Sequence, residues 1–245
     1  MRYFVELAYN GKNFHGWQKQ PNAHSVQAEI EEKISVLLKE EVELTGCGRT
    51  DAGVHARQFF AHFDTEILFD SDKMGMQLNA MLPKDIVIER VWQVEEDQHA
   101  RFSATFREYE YWITTKPTPF LYELSSLYRK PLDIVAMNQA SKLLLDHTDF
   151  ECFSKVHTDV KTFNCKIFRA DWEMRDNNML VFTICADRFL RNMVRAVVGT
   201  LLDIGYHKMD EENLKRILEN KNRSEAGVSV PAQGLFLTRV GYDFF

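Results

Sequence analysis

Cysteine is scarce in this chain and scattered. Cys47, Cys152, Cys165 and Cys185 form no C-x-x-C pair. That argues against a structural zinc site and fits reduced thiols in a cytosolic protein. No apolar run approaches the roughly 20 residues of a membrane span. A strand-like pattern begins at once in Met1-Arg2-Tyr3-Phe4-Val5, which leaves no room for a signal peptide. Neither the dinucleotide-binding glycine pattern nor the phosphate-loop glycine-lysine pattern occurs. The eight histidines do not pair at metal-ligand spacing, and lone ones such as His62 read as structural. The P-C-x-x-C of zinc deaminases and the G-x-S-x-G of a nucleophile elbow are absent too. No segment has low complexity.

What is present is an ordinary globular composition. Hydrophobic residues make up 45% of the 245 and charged residues 27%, enough for one large domain or two small ones. The net charge is −6, which by itself speaks mildly against a nucleic-acid partner. Distribution says more than the sum. Acid collects at Glu40–Glu43, Glu95–Asp97 and Asp210–Glu212. Arginine collects elsewhere: Arg49 and Arg57, then Arg101 and Arg107, then Arg188, Arg191 and Arg195. If those groups meet in space, they form a basic cleft on an acidic body. Any one of them alone would read as solvated charge.

Periodicity gives the order of elements. Arg2–Tyr9 alternates as a strand and Asn10-Gly11 turns it. Phe14, His15 and Trp17 occupy the next loop and are expected to pack and shape it. Ser25 caps a helix to about Lys39, with Val26, Ile30, Ile34, Leu37 and Leu38 as its apolar stripe. Strands are expected at Val42–Cys47, Gln58–Asp64 and Ile86–Val91, and a helix at Ser71–Met81. Ala104–Thr115 is the next strand, with Arg107, Tyr109 and Tyr111 on one face. A helix follows over Asp133–Leu145. Thr162–Arg175 and Met179–Asp187 flank Asp176-Asn177-Asn178, a hairpin signal. Helices over Arg191–Tyr206 and after Asp210 lead to a last strand, Leu235–Tyr242. The fold class is therefore α+β. Each half spells strand, helix, strand, strand, helix, strand, the order of a ferredoxin-like (βαββαβ) unit. Residues 1–100 and 101–245 are the two expected halves, sheets joined edge to edge around a central basic cleft.

One stretch concentrates polar chemistry: Cys47-Gly48-Arg49-Thr50-Asp51-Ala52-Gly53-Val54-His55-Ala56. Glycines let such a loop bend sharply and bring side chains against a ligand. On spacing alone it reads as a tight turn, with Asp51 bonding a nearby backbone N–H. A second reading needs partners. A carboxylate can be a covalent nucleophile when ionised and aimed, a permanently charged Arg can keep it so, and a Tyr offers a flat face to a base. An Asp, an Arg and a Tyr in a basic cleft suggest chemistry on a nucleotide that has left its stack. His55 reads as a hydrogen bonder that shapes the loop.

Gly48 to Ala56 resembles the signature of the tRNA pseudouridine synthase A family. The likeness runs along nearly the whole chain: Tyr9-Asn10-Gly11 through Phe14-His15-Gly16-Trp17-Gln18, Ser25-Val26-Gln27, Asn79-Ala80-Met81-Leu82-Pro83, His99-Ala100-Arg101-Phe102-Ser103-Ala104, Met193-Val194-Arg195 and Gly234-Leu235-Phe236-Leu237. The resemblance implies an isomerase that turns uridine into pseudouridine at positions 38, 39 and 40 of the tRNA anticodon stem–loop. It implies no metal and no organic cofactor, and a homodimer; the expected cytoplasmic location rests on the scattered thiols. Asp51 matches the catalytic aspartate, Tyr109 the tyrosine that packs on the target base, and Arg195 the arginine that pairs with the carboxylate. Arg49, Arg57, Arg101, Arg188 and Arg191 are expected substrate contacts on the rim. One departure is acidic: Glu108 and Glu110 flank Tyr109, and alternation should point them away from its face.

The reaction breaks the N-glycosidic bond, turns the uracil and bonds its C5 to the same sugar carbon. Asp51 could attack C1′ or C6, or take a proton from C2′. A retaining glycoside hydrolase needs a second carboxylate, which the loop lacks. Two further readings stand beside the synthase: a catalytically silent RNA-binding protein on the same fold, and a nucleoside or glycoside hydrolase.

Overall fold

The structure is a computed structural model that describes residues 1–155, 160–175 and 178–245. Its five helices and its strands make a mixed α+β architecture. The chain divides into two compact units, Met1–Thr105 with Phe236–Phe245, and Phe106–Leu235. A division at residue 100 would give the last segment to the second half; its packing groups it with the first unit.

The first unit is built on β1 (Arg2–Tyr9), which lies between β3 (His55–Asp64) and β4 (Ile86–Val94), antiparallel to both. On its other edge β3 meets β2 (Thr45–Gly46) and, at His55 and Ala56, a parallel β9 (Leu235–Tyr242). Helix α1 (Val26–Leu38) takes Ser25 as its cap, the Ser25 hydroxyl accepting from Ala28 N at 3.3 Å. Helix α2 (Ser71–Met81) packs on β4 and α1. Phe59, Ala61 and Phe63 are buried as alternation expects, but so are Phe60 and His62 on the opposite face. That face is covered by aromatic rings: Phe60 meets Tyr242 at 5.2 Å and Phe245 at 5.4 Å, and Trp92 meets Phe245 at 5.2 Å.

The expected strand Val42–Cys47 shrinks to Thr45–Gly46. Side chains of α1 have taken its hydrogen bonds. Val42 N donates to Ser35 Oγ at 3.1 Å, and Leu44 N donates to Glu31 Oε1 at 2.9 Å. Gln27 Nε2 donates to Leu44 O at 2.9 Å. Gln27 and Glu31 are both buried, so α1 has a polar stripe inside the protein beside the expected apolar one.

In the second unit, β5 (Ala104–Thr114), β8 (Met179–Ala186) and β7 (Ile167–Arg175) run antiparallel in that order, and β6 (Ser126–Leu127) joins β5 in parallel. The hairpin signal holds as a pairing, Arg175 facing Met179; Asp176 and Asn177 lie outside the described residues. Helix α3 (Ile134–Leu143) packs on β7 and on α4 (Met193–Gly205), and α5 (Glu211–Asn220) packs on α3. Almost every residue of α4 is buried, not one stripe alone. Burial pushes the Cys152 and Cys165 thiols up to about 12, which leaves them protonated at neutral pH.

Both outer strands are pinned by a helix amide. Asn79 on α2 accepts from Ile88 N at 2.7 Å and donates to Ile88 O at 2.8 Å. Asn138 on α3 accepts from Trp172 N at 2.8 Å and donates to Trp172 O at 3.0 Å. A side-chain amide here supplies the donor and acceptor that a neighbouring strand would otherwise give.

Candidate active site

In the first unit, the loop between β2 and β3 is held from below. Cys47 N donates to Phe60 O at 2.7 Å and fixes its entry. Asp51 O accepts from Val54 N at 3.1 Å, so the centre of the loop is a turn, as spacing alone suggests. The residues after β1 then brace it. Tyr9 and Thr50 share a hydroxyl hydrogen bond of 2.8 Å. Gly53 N donates to Phe14 O at 3.2 Å, and Gly11 N donates to His55 Nδ1 at 3.1 Å. Gly16, at φ +90°, is pressed so close that an added Cβ would sit 2.2 Å from Thr50 O. Gly53, at φ +78°, is the glycine whose backbone bends the loop; Gly48 shows no positive φ and has open space around it.

In the neighbouring loop Phe14 and Trp17 pack as expected, whereas His15 is exposed. Trp17 and Phe14 are buried, and Trp17 stacks on Phe59 at 4.1 Å. His55 is buried, hydrogen-bonded to Gly11 and stacked on Phe236 at 4.7 Å. Asp51 ends half-buried, between a buried Thr50 and an exposed Ala52. Arg49 and Arg57 are exposed beside it in sequence, one in the loop and one on β3.

Arg101 belongs to the turn after β4 and is exposed, its guanidinium 5.7 Å from the Phe102 ring. His99 organises that turn, its Nδ1 accepting from Arg101 N at 3.0 Å and Phe102 N at 3.2 Å. Ala100 N donates to His62 Nδ1 at 3.1 Å, and Tyr242 OH donates to Ala100 O at 2.5 Å.

The second unit carries the remaining candidates. Tyr109 is half-buried on β5, with the Phe189 ring edge-on at 5.1 Å. Tyr111, two residues on and on the same face, is fully buried. Its hydroxyl lies 2.7 Å from Ser126 Oγ and donates to Pro231 O at 3.0 Å. Burial raises its pKa and keeps it a neutral phenol. Glu110 turns the other way, as alternation requires; it pairs with Arg175 at 2.8 Å and accepts a hydrogen bond from Trp112 Nε1 at 2.7 Å.

Arg195 sits in the first turn of α4, half-buried. Its Nε donates to Val230 O at 2.8 Å, while Val230 N donates back to Arg195 O at 3.2 Å. The helix begins at Met193, not Arg191, because Asn192 takes φ +66° and donates from Nδ2 to Ser229 Oγ at 2.6 Å. Arg188 and Arg191 therefore lie in the loop before the helix. Arg188 is half-buried and donates to Thr162 O at 3.3 Å; Arg191 is exposed. Arg107 donates to Asp187 O at 2.9 Å and ties that loop to β5.

Sequence reasoning missed two supports. Phe189 borders Tyr109 without belonging to any periodic pattern. The segment up to Pro231 holds Arg195; its one visible signal is the pair Gly199 and Gly227, which pack where a Cβ on Gly199 would meet Val228 O at 1.9 Å. Among the described residues, no three His, Cys, Asp or Glu side chains gather as a metal site, and no helix is long and apolar enough to cross a membrane.

Most of the chain matches a known family model. Residues 7–103 and 140–243 fit the model described as tRNA pseudouridine synthase. The chain belongs to that family. A pseudouridine synthase is an isomerase, and this chain is one. The chain is 51% identical to a tRNA pseudouridine synthase A from Parabacteroides distasonis, over 98% of this chain and 96% of the relative. A protein of the same description from Bacteroides fragilis is 49% identical, with 98% and 96% covered. Another, from Bdellovibrio bacteriovorus, is 40% identical, with 96% and 93% covered. A synthase of this kind leaves the composition of its substrate unchanged, because the proton lost from C5 is matched by one gained at N1. Its protein groups need only hold a nucleoside, break one C–N bond and form one C–C bond.

Proposed function

We propose that this synthase converts uridine to pseudouridine at positions 38, 39 and 40 in the anticodon stem–loop of tRNA, with Asp51 as the nucleophile. The observation that carries this reading is the bracing of the Asp51 loop. Backbone bonds at Gly53, Gly11 and Cys47 and the Tyr9–Thr50 hydrogen bond hold the loop that carries Asp51, and a reacting group on a support held in advance loses less entropy in the reaction. Arg195 pairs with the Asp51 carboxylate. Tyr109 lays its ring on the target base. Arg49, Arg57, Arg101, Arg188 and Arg191 line the rim and hold phosphates.

In this reading the chain works as two ferredoxin-like halves, one with the Asp51 loop, to which the last strand returns, and one with Tyr109 and Arg195, sheets joined edge to edge around a basic cleft. The first unit's strand order of β4, β1, β3 and then β2 supports it. The cleft shuts out water, so that the freed uracil re-bonds instead of escaping. The enzyme acts as a cytoplasmic homodimer and needs neither metal nor organic cofactor.

The test is tritium release from tRNA labelled at uracil C5. The wild-type protein should release tritium, and the product should carry pseudouridine at those three positions. Asp51→Asn should still bind tRNA and release none. Substantial release by that variant would remove Asp51 from its role. Binding without release by the wild type would make the chain a silent RNA binder, and free uracil among the products would make it a hydrolase.

A further inference from the structure

We propose that the loop from Lys116 to Pro131 is a second RNA-binding surface, which stacks unpaired bases of the substrate on Phe120 and Tyr122. The inference rests on the tRNA reading above and extends it to residues outside the catalytic set. Phe120 is 87% exposed and Tyr122 77% exposed. Two large rings so open to water, two residues apart, are costly to a chain that gains nothing from them.

The loop is not loose. Leu124 N and Ser125 Oγ donate to Leu121 O at 3.1 and 2.8 Å. Gln233 Nε2 donates to Ser125 O at 3.0 Å, Tyr128 N donates to Thr114 O at 2.9 Å, and Ser126 Oγ meets the Tyr111 hydroxyl at 2.7 Å. Pro117, Pro119 and Pro131 restrict the backbone further. The rings are thus presented on a stiff support, and stacking on them costs little ordering entropy.

Charge selects the occupant. Lys116, Arg129 and Lys130 are exposed within the loop, against one acid, Glu123. Basic groups interleaved with open aromatic faces suit single-stranded nucleic acid, since every base has a face to stack and every nucleotide a phosphate. A second copy of this chain would bring the same positive charges against themselves. Phe102 is also exposed, but it follows the acidic run Glu95–Asp97, so the same argument does not reach it.

The experiment is equilibrium binding of an unmodified tRNA transcript across a salt series. Phe120→Ala with Tyr122→Ala should raise Kd about tenfold or more, because stacking is worth about 1–3 kcal/mol per base. Lys116→Gln, Arg129→Gln and Lys130→Gln together should flatten the slope of log K against log salt by about 2. Thermal melts of both variants should match the wild type, as all five side chains are exposed. A Kd within twofold of the wild type for both variants overturns the proposal. So does a double variant that changes oligomeric state while keeping its Kd, which would assign the loop to a second copy. A wild-type protein that binds tRNA no better than any RNA would instead overturn the tRNA reading, and the loop's assignment with it.

Discussion

The backbone that carries Asp51 is packed against Gly16, where an added Cβ would meet Thr50 O and Asp51 C. The polar loop was legible in the sequence as a unit because its residues are consecutive. Which of its glycines matter was not legible, because a φ angle and a close approach are set by residues far away in sequence. Gly53 bends the loop at φ +78°, whereas Gly48 has no positive φ and an added Cβ there would meet nothing within 4 Å. Gly16 combines φ +90° with an added Cβ 2.2 Å from Thr50 O, a backbone atom that cannot step aside without moving Asp51. Gly16→Ala should therefore cost about 2 kcal/mol or more in urea unfolding and should lower the rate of tritium release along with it. Gly48→Ala should change stability by less than about 1 kcal/mol. Equal effects of the two substitutions would show that the loop is not braced through Gly16.

At the scale of elements, local signals read well and contested hydrogen bonds read badly. Ser71–Met81 and Leu235–Tyr242 stand where their patterns put them, and Ser25 caps α1. Each of these depends on side chains within one turn or one strand. The strand expected at Val42–Cys47 depended on something else. Its backbone groups are taken by Ser35, Glu31 and Gln27 on α1, and polar residues on a helix read as a solvated face until a partner is seen. Glu31 is the centre of this network: Oε1 accepts from Gln27 Nε2 at 2.8 Å and Leu44 N at 2.9 Å, and Oε2 accepts from Lys19 Nζ at 2.9 Å. Glu31→Ala would leave the Leu44 N–H and one of the two Gln27 amide N–H groups buried without an acceptor. The expected loss is about 3 kcal/mol of unfolding free energy. Glu31→Gln, which keeps one acceptor oxygen, should lose clearly less. An alanine variant as stable as the wild type would mean that water or another side chain takes those donors.

For the whole molecule, the sequence of strands and helices was readable because periodicity is local. The return of Phe236–Phe245 to the first unit was not, since it rests on a parallel pairing of His55 with Phe236 and on rings brought together from four segments. The same return sets how this unit responds to acid. His62 lies beneath the C-terminal aromatics, accepting from Ala100 N, while Tyr242 donates to Ala100 O. Burial, then the nearby Arg2 charge, lowers the His62 pKa to about 4. His99, 4.6 Å away ring to ring, is lowered in the same sense, chiefly by burial. Above pH about 6.5 both imidazoles are neutral, folded or unfolded, and nothing is lost. As pH falls below that value the unfolded chain takes up protons that the folded chain refuses, so stability must fall with pH until the folded His62 titrates near 4. For His62 alone the loss is about 3 kcal/mol across that window. Asp64, held below its usual value by the hydrogen bond from Arg2, keeps its stabilising charge through the window and gives it up only at lower pH. Urea unfolding at pH 7, 5.5 and 4.5 should therefore show a steady decline. His62→Gln, whose amide oxygen can still accept from Ala100 N, should remove most of that decline and leave the smaller share due to His99. A decline of the same size in the variant would move its cause away from His62.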